Sequence, residues 1–327
     1  MKILFSDTHS YEKEAFLALN SGLDFQFLDF RIHSQSAAAI PPCEIVVGFV
    51  NDHYDRICLQ VLVSKGVKLI ALRCAGFNNV DLKSAEELGI KISRVPAYSP
   101  HAVAEHALAL LLTLNRKTHR AYQRVRELNF SLEGLVGFDL YHKTVGVIGT
   151  GKIGTIFASI MMGMGCRVLA VDMNESSELK QKGIQYVTRD QLLKESDVIS
   201  LHVPLNDKTF HMMNDEAFLK MKKNAILVNT GRGGLVDTKA LIQALKKGQI
   251  AGAALDVYEE EEGVFFEDRS DKVLTDDILA RLLTFPNVLL TSHQGFLTSE
   301  ALHNIAQTTI FNIREFQQGR WGNPVQS

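Results

Sequence analysis

The sequence predicts an α/β protein built of two doubly wound parallel-sheet domains. Three observations predict it. Short apolar runs alternate with helical patterns through both halves of the chain, as strands joined by crossover helices do. One run breaks into Gly149-Thr150-Gly151-Lys152-Ile153-Gly154, a G-x-G-x-x-G turn between a strand and a helix. A length of 327 residues suffices for about two domains, each with its own core.

Composition narrows the function. The chain is 46% hydrophobic and 22% charged, an ordinary globular balance. A net charge of −2 offers no basic field to nucleic acid or to an anionic membrane. No apolar run reaches the roughly 20 residues that cross a bilayer. Residues 1–7 read as a first strand rather than a signal peptide. Cys43, Cys58, Cys74 and Cys166 have neither metal spacing nor a C-x-x-C pattern. Reduced thiols, a cytoplasmic setting and no bound metal are therefore expected.

In the first half, strands are expected at 3–6, 25–30, 45–49, 69–73 and 91–95, each apolar and bounded by polar residues or glycine. Ser99-Pro100 reads as an N-cap followed by a first-turn proline. One long helix is expected over 101–127, read either as a hinge helix that leaves the first domain and contributes to a dimer interface or, in its apolar first half, as a long core helix. The second domain begins near Lys143. Its strands are expected at 144–148, 167–172, 198–203, 225–229, 251–256 and 287–292, the six strands of a Rossmann sheet. A helix is expected over 237–247. Residues 258–285 read as irregular and solvated, with Glu259, Glu260, Glu261 and Glu262 in a row. Residues 298–317 read as a last amphipathic helix. Two such domains suggest an active cleft between them.

The glycine turn carries the first chemistry. Gly149 allows the tight turn, Gly151 lets a pyrophosphate approach the backbone, and Gly154 lets helix pack on strand. The helix start offers unpaired N–H groups to phosphate. Asp172 ends the next strand, 18 residues past Gly154, close to the ~20 at which an acid meets the ribose hydroxyls of NAD. Arg232, in the loop Asn229-Thr230-Gly231-Arg232-Gly233-Gly234, would grip a carboxylate through two parallel hydrogen bonds. His293 follows the last strand and would act as the acid–base. His202, also at a strand end, is its rival. A carboxylate beside the histidine would orient the ring, and the residues alone leave all four glutamates open.

Residues 71–81, 94–98, 149–154, 228–233, 255–261 and 292–294 together carry a resemblance. Over essentially its whole length the chain resembles the D-2-hydroxyacid dehydrogenase family, and is most similar to the fermentative D-lactate dehydrogenases. The resemblance implies catalytic roles for Arg232, Glu261 and His293. Glu261 is chosen because the family's glutamate lies five residues beyond the strand-end aspartate, here Asp256. It implies a flavodoxin-like substrate domain of residues 1–98 with 298–327, and a Rossmann NAD-binding domain of 99–297. NAD would meet Lys152, Ile153, Asp172, Val203, Pro204, Thr230, Gly231 and Asp256, besides Gly149, Gly151 and Gly154. Substrate would meet the backbone of Ala75 and Gly76, the Tyr98 hydroxyl, and an aromatic wall of Phe49 and Phe296. Some relatives carry tyrosine at the position of Phe296. The stretch 258–276, with Phe265 and Phe266, matches the longer loop of the lactate group.

The implied reaction is reduction of pyruvate to D-lactate by NADH in a homodimer or homotetramer. The D stereochemistry comes from the resemblance alone. The alternatives are a relative acting on a bulkier 2-keto acid, hydroxypyruvate or glyoxylate, or an NADH-sensing corepressor built on the same fold. The chain starts at its first strand and ends just past its last helix, which disfavours the corepressor reading and the phosphoglycerate dehydrogenases that add a regulatory domain.

Overall fold

The computed structural model describes residues 2–19, 21–261 and 263–326. The chain divides into two units, Met1–Ser99 with Phe296–Ser327, and Pro100–Gly295.

The first unit opens with β1 (Ile3–Phe5), α1 (Ser10–Ala18), β2 (Phe25–Phe27), β3 (Ile45–Gly48), α2 (Arg56–Ser64), β4 (Leu69–Leu72), α3 (Leu82–Glu87) and β5 (Lys91–Ser93). Every residue of β1, β3 and β4 is buried, because helices cover both faces of a parallel sheet. Asp55 and Asp81 cap α2 and α3 by accepting from the N–H groups of Cys58 and Ser84.

The second unit holds α4 (Pro100–Arg116), α5 (Thr118–Arg126), β6 (Thr144–Ile148), α6 (Lys152–Gly163), β7 (Arg167–Val171), α7 (Ser177–Gln181), β8 (Gln185–Tyr186), α8 (Arg189–Glu195), β9 (Val198–Leu201), α9 (Asp215–Lys220), β10 (Ile226–Asn229), α10 (Thr238–Lys246), β11 (Gly252–Leu255), α11 (Asp277–Leu283) and β12 (Val288–Leu290). The chain then returns to the first unit with α12 (Ser299–Gln317), capped by Thr298, and β13 (Pro324–Val325).

The first sheet runs β13-β5-β4-β3-β1-β2 and the second β12-β11-β10-β9-β6-β7-β8. The second sheet is parallel throughout. Its order reverses between β6 and β9, which puts the glycine turn after β6 at the switch point where doubly wound sheets bind ligands. Ala306, Ile310 and Ile313 of α12 bury against Ile3, Phe5 and Ile45.

Several elements differ from the sequence expectation. Most strands stop one to three residues early. Arg73 shows why: its N–H still pairs with Gly48 across the sheet, but its side chain turns into a buried polar network. Arg73 binds both oxygens of Glu12 at 2.7 and 3.1 Å and the Asp7 carbonyl at 2.7 Å. Its guanidinium lies 4.6 Å from the Phe49 ring centroid. The nearby Asp52 accepts from Ser6, Ile32, Phe49 and Tyr54 at 2.6 to 2.9 Å. These bonds fix the ends of β1, β3 and β4.

The helix expected over 101–127 is two. Lys117 takes the left-handed conformation, φ 50°, and separates α4 from α5. Its ammonium donates to the Val136 carbonyl. No residue of α5 is buried, so no core packing holds the two in line. The second sheet has seven strands rather than six, the addition being the two-residue β8. The stretch 258–285 is not wholly irregular, because Asp276 caps α11 within it by accepting from Ile278 and Leu279. The antiparallel β13 was not expected either.

The glycine turn gives a direct stability test. A Cβ on Gly154 would sit 1.9 Å from the Gly149 carbonyl oxygen, whereas one on Gly151 would meet nothing within 4 Å. Gly154→Ala should destabilise the protein by about 1–3 kcal/mol, the usual cost of overpacking. Gly151→Ala should cost no more than about 1 kcal/mol, the N-cap preference of glycine over alanine. Urea midpoints for the two variants measure this, and equal midpoints would contradict the packing role of Gly154.

Candidate active site

The cofactor side is built at the switch point. Gly149, φ 93°, donates its N–H to Val171 at 2.8 Å, and a Cβ there would strike the His202 carbonyl. The chain can therefore turn tightly only with glycine. No side chain caps α6, which leaves its first-turn N–H groups, at Lys152 and Ile153, for an outside acceptor. Asp172 follows β7. Its carboxylate accepts from the N–H groups of Thr150 and Asn174 at 2.6 and 2.9 Å and from the Thr150 hydroxyl. Burial alone would raise its pKa, but these donors outweigh that and hold it below the usual carboxylate range. Tyr186 braces Thr150 with a hydroxyl contact of 2.9 Å.

Val203 and Pro204 follow β9, and Thr230 and Gly231 follow β10, on the same edge of the sheet. The Thr230 hydroxyl oxygen is buried without a hydrogen-bond partner among the described residues. A glycine concavity, an open helix start, an ionised acid and an orphaned buried hydroxyl fit an NAD molecule.

The acid–base side is organised by Asp256, only 1% exposed. One carboxylate oxygen accepts from Gln294 N–H at 2.9 Å and from the Thr291 hydroxyl, and the other from Gly295 N–H at 2.8 Å. The Asp256 carbonyl accepts the His293 N–H at 2.7 Å. His293 itself stands at φ 50°, a conformation that a non-glycine residue keeps only when its surroundings impose it. Its Nδ1 lies 2.9 Å from Glu261 Oε1. A carboxylate only accepts, so Nδ1 carries the hydrogen. Nε2 has no hydrogen-bond partner among the described residues.

The acidic row resolves by geometry. Glu261 pairs with His293. Glu259 turns to His211 and the Thr238 hydroxyl, and Glu260 is exposed. Glu262 lies outside the described residues. Arg232 sits in the loop after β10, where Asn229 holds it from both sides. Asn229 Nδ2 donates to the Arg232 carbonyl, and its Oδ1 accepts the Gly231 N–H. One Nη1 bond goes to the Gly231 carbonyl at 2.8 Å, and the rest of the fork has no partner among the described residues. A Cβ on Gly233 would lie 1.9 Å from the Tyr258 carbonyl, so this glycine lets the arginine loop lie against the start of the acidic one.

His202 is not a rival acid–base. Burial pushes its pKa down to about 4. Its Nε2 is engaged by Ser200 at 2.8 Å and its ring packs 5.2 Å from that of Phe157. It is a neutral packing residue beneath the glycine turn. Asp256 was expected to contact NAD, yet both of its oxygens already accept protein donors. In the first unit the Phe296 ring lies 6.4 Å from Phe49 and 6.2 Å from Tyr98. Ala75 and Gly76 occupy the bend after β4, where their carbonyls accept from Arg94 and Cys74. Sequence reasoning missed Asn229, Thr291 and His106, whose Nε2 reaches Asp256 at 3.1 Å. Nothing local in the sequence marks His106, since its partner stands 150 positions away.

The chain is similar to known proteins over nearly its whole length. The family described as D-isomer specific 2-hydroxyacid dehydrogenase, NAD binding domain, matches residues 108–295. The chain is 51% identical over 322 residues to a 2-hydroxyacid dehydrogenase homolog of Haemophilus influenzae, covering 98% of this chain and 97% of that one. It is 50% identical over 321 residues to a D-lactate dehydrogenase of Escherichia coli K12, covering 98% of each. The apo structure of D-lactate dehydrogenase from Escherichia coli superposes with a TM-score of 0.92 at 47% identity, over 99% of this chain and all of that one. With a whole-length likeness of this degree and a glycine turn, an acid and a histidine–glutamate pair at the strand ends, the chain belongs to the D-isomer specific 2-hydroxyacid dehydrogenase family.

Proposed function

We propose that the protein reduces pyruvate to D-lactate with NADH. The observation that carries the reading is the His293–Glu261 pair, with Nδ1 bonded to the carboxylate at 2.9 Å and Nε2 without a partner among the described residues, in a chain half identical to a D-lactate dehydrogenase. When bound, NADH supplies the hydride. Arg232 grips the substrate carboxylate with the unpaired part of its fork and fixes the keto group. His293, protonated, gives the Nε2 proton to the keto oxygen. Glu261 holds the ring in register and stabilises its positive charge. Positioning contributes most, then stabilisation of the developing alkoxide, then proton transfer, roughly 10²–10⁴-fold.

For the cofactor, the start of α6 with Gly149, Gly151, Lys152, Ile153 and Gly154 would take the pyrophosphate. Asp172 would take the ribose hydroxyls, and Val203, Pro204, Thr230 and Gly231 the rest. The Asp256 oxygen bonded to Gly295 N–H would retain a lone pair for it. The backbone of Ala75 and Gly76, the Tyr98 hydroxyl and the rings of Phe49 and Phe296 are proposed substrate contacts. On this reading the first unit is the substrate domain.

A homo-oligomer is part of the proposal. Tyr122, Val125, Leu128, Phe130, Leu132, Val136 and Tyr141 are all exposed, and so many exposed apolar side chains in one stretch support an interface there. A second copy of the chain is the proposed cover. No described helix is long and apolar enough to cross a membrane. Cys43, Cys58, Cys74 and Cys166 form no disulfide among the described residues, which supports a reducing, cytoplasmic setting.

The decisive assay follows NADH absorbance with pyruvate, 2-ketobutyrate, 2-ketoisocaproate, hydroxypyruvate and glyoxylate. Pyruvate should show the highest kcat/KM and the product should be D-lactate. A higher value for a bulkier acid, for hydroxypyruvate or for glyoxylate would replace the substrate assignment. NADPH should be used less well than NADH by on the order of 10²-fold, since setting the charge of Asp172 against a 2′-phosphate costs several kcal/mol. Asp172→Ala should narrow that gap, and an unchanged ratio would remove Asp172 from the ribose site.

A further inference from the structure

His106, on α4, lies far from the reacting residues in sequence and has no part in the reaction proposed above. Its ring nevertheless backs the loop that carries His293. Nε2 stands 3.1 Å from Asp256 Oδ1 and 3.1 Å from Thr291 Oγ1. The Thr291 hydroxyl donates to the same Asp256 oxygen, and the ionised carboxylate can only accept. The shared hydrogen therefore sits on Nε2 of His106 and is divided between the two oxygens. A Cβ added to Gly295 would meet Asp256 Oδ2 at 3.0 Å and His106 Cδ2 at 3.4 Å. The ring edge thus also walls in the backbone two residues beyond His293.

We infer that His106 is a positioning residue for the reaction, acting through Asp256 and Thr291 to hold His293 in its left-handed conformation with Nδ1 on Glu261. The inference rests on His293 being the proton donor. The path is short and continuous: His106 to Asp256 and Thr291, Asp256 to the N–H groups of His293, Gln294 and Gly295, and His293 to Glu261. The Asp256 side chain is 1% exposed and that of His106 15%, so water cannot freely replace the lost donor. Without it, the carboxylate keeps fewer charge-assisted bonds and the loop can relax toward the conformation a histidine prefers. A donor displaced by even ~1 Å can lose about 10²-fold in rate.

The test compares His106→Ala and His106→Gln with the parent enzyme, each as the whole 327-residue chain. Gln can place an amide N–H near the position of Nε2. His106→Ala should lower kcat for pyruvate roughly 10- to 100-fold, with the pyruvate KM and the NADH Kd from cofactor fluorescence both within about twofold. The solvent deuterium isotope effect on kcat should rise as proton transfer becomes slower. His106→Gln should recover most of the rate. A second readout needs no substrate: the downfield Nδ1 proton of His293, identified by its loss in His293→Ala, should exchange faster with solvent in His106→Ala. An unchanged kcat, a loss explained wholly by weaker NADH binding or lower thermal stability, or no recovery with Gln would overturn the inference. Failure of the parent enzyme to reduce any 2-keto acid would instead count against the proposed reaction, and the proton exchange rate would still decide the role of His106.

Discussion

One buried carboxylate, Asp256, ties the end of β11 to the chain that leaves β12. Its side chain receives two backbone N–H groups, a hydroxyl and an imidazole, and its carbonyl receives the N–H of His293. Burial alone would favour the neutral acid, but the bonds from His106, Thr291 and Gln294 hold it below the usual carboxylate range. The ionised form makes the stronger bonds, and those bonds keep His293 at φ 50°. A left-handed histidine costs on the order of 1–2 kcal/mol by itself, so the site depends on this clamp.

The rest of the geometry follows from a parallel sheet. All its strands end on one edge, and β10, β11 and β12 are consecutive neighbours there. Arg232, Glu261 and His293 lie beyond these three strand ends in the same order. Gly233 lets the first two loops touch, and Asp256 ties the second to the third. The cofactor turn sits across the same edge, after β6, where Gly149 and Gly154 let backbone pass within reach of backbone. Sequence-distant residues thus meet because of strand order.

Much of this was legible in the amino-acid sequence. A strand buried on both faces reads as an unbroken apolar run, so β3, β4, β6 and β10 announce themselves. The glycines and Asp172 stand at spacings that phosphate and ribose impose. What was illegible had no local signal. Lys117 is neither glycine nor proline, so the break between α4 and α5 is invisible until the exposed face of α5 is seen. β8 and β13 are two residues each and show no pattern. His202 and His293 are the same residue at the ends of two strands, and only burial separates a neutral packing ring from one whose Nε2 has no partner among the described residues. The row of glutamates was open on physical grounds, since one step along the loop decides which reaches the histidine. His106 could not be found at all without the fold.

The claim at the centre of this account is that His293 delivers the proton with Glu261 behind it. The most direct test is kcat for pyruvate in the parent, His293→Ala, Glu261→Gln and Glu260→Gln enzymes. His293→Ala should lose roughly the 10²–10⁴-fold that proton transfer contributes. Glu261→Gln takes away the negative charge 2.9 Å from Nδ1 and should also lower kcat, while Glu260→Gln should follow the parent. An unchanged kcat in His293→Ala or Glu261→Gln, or a loss confined to Glu260→Gln, would contradict the account.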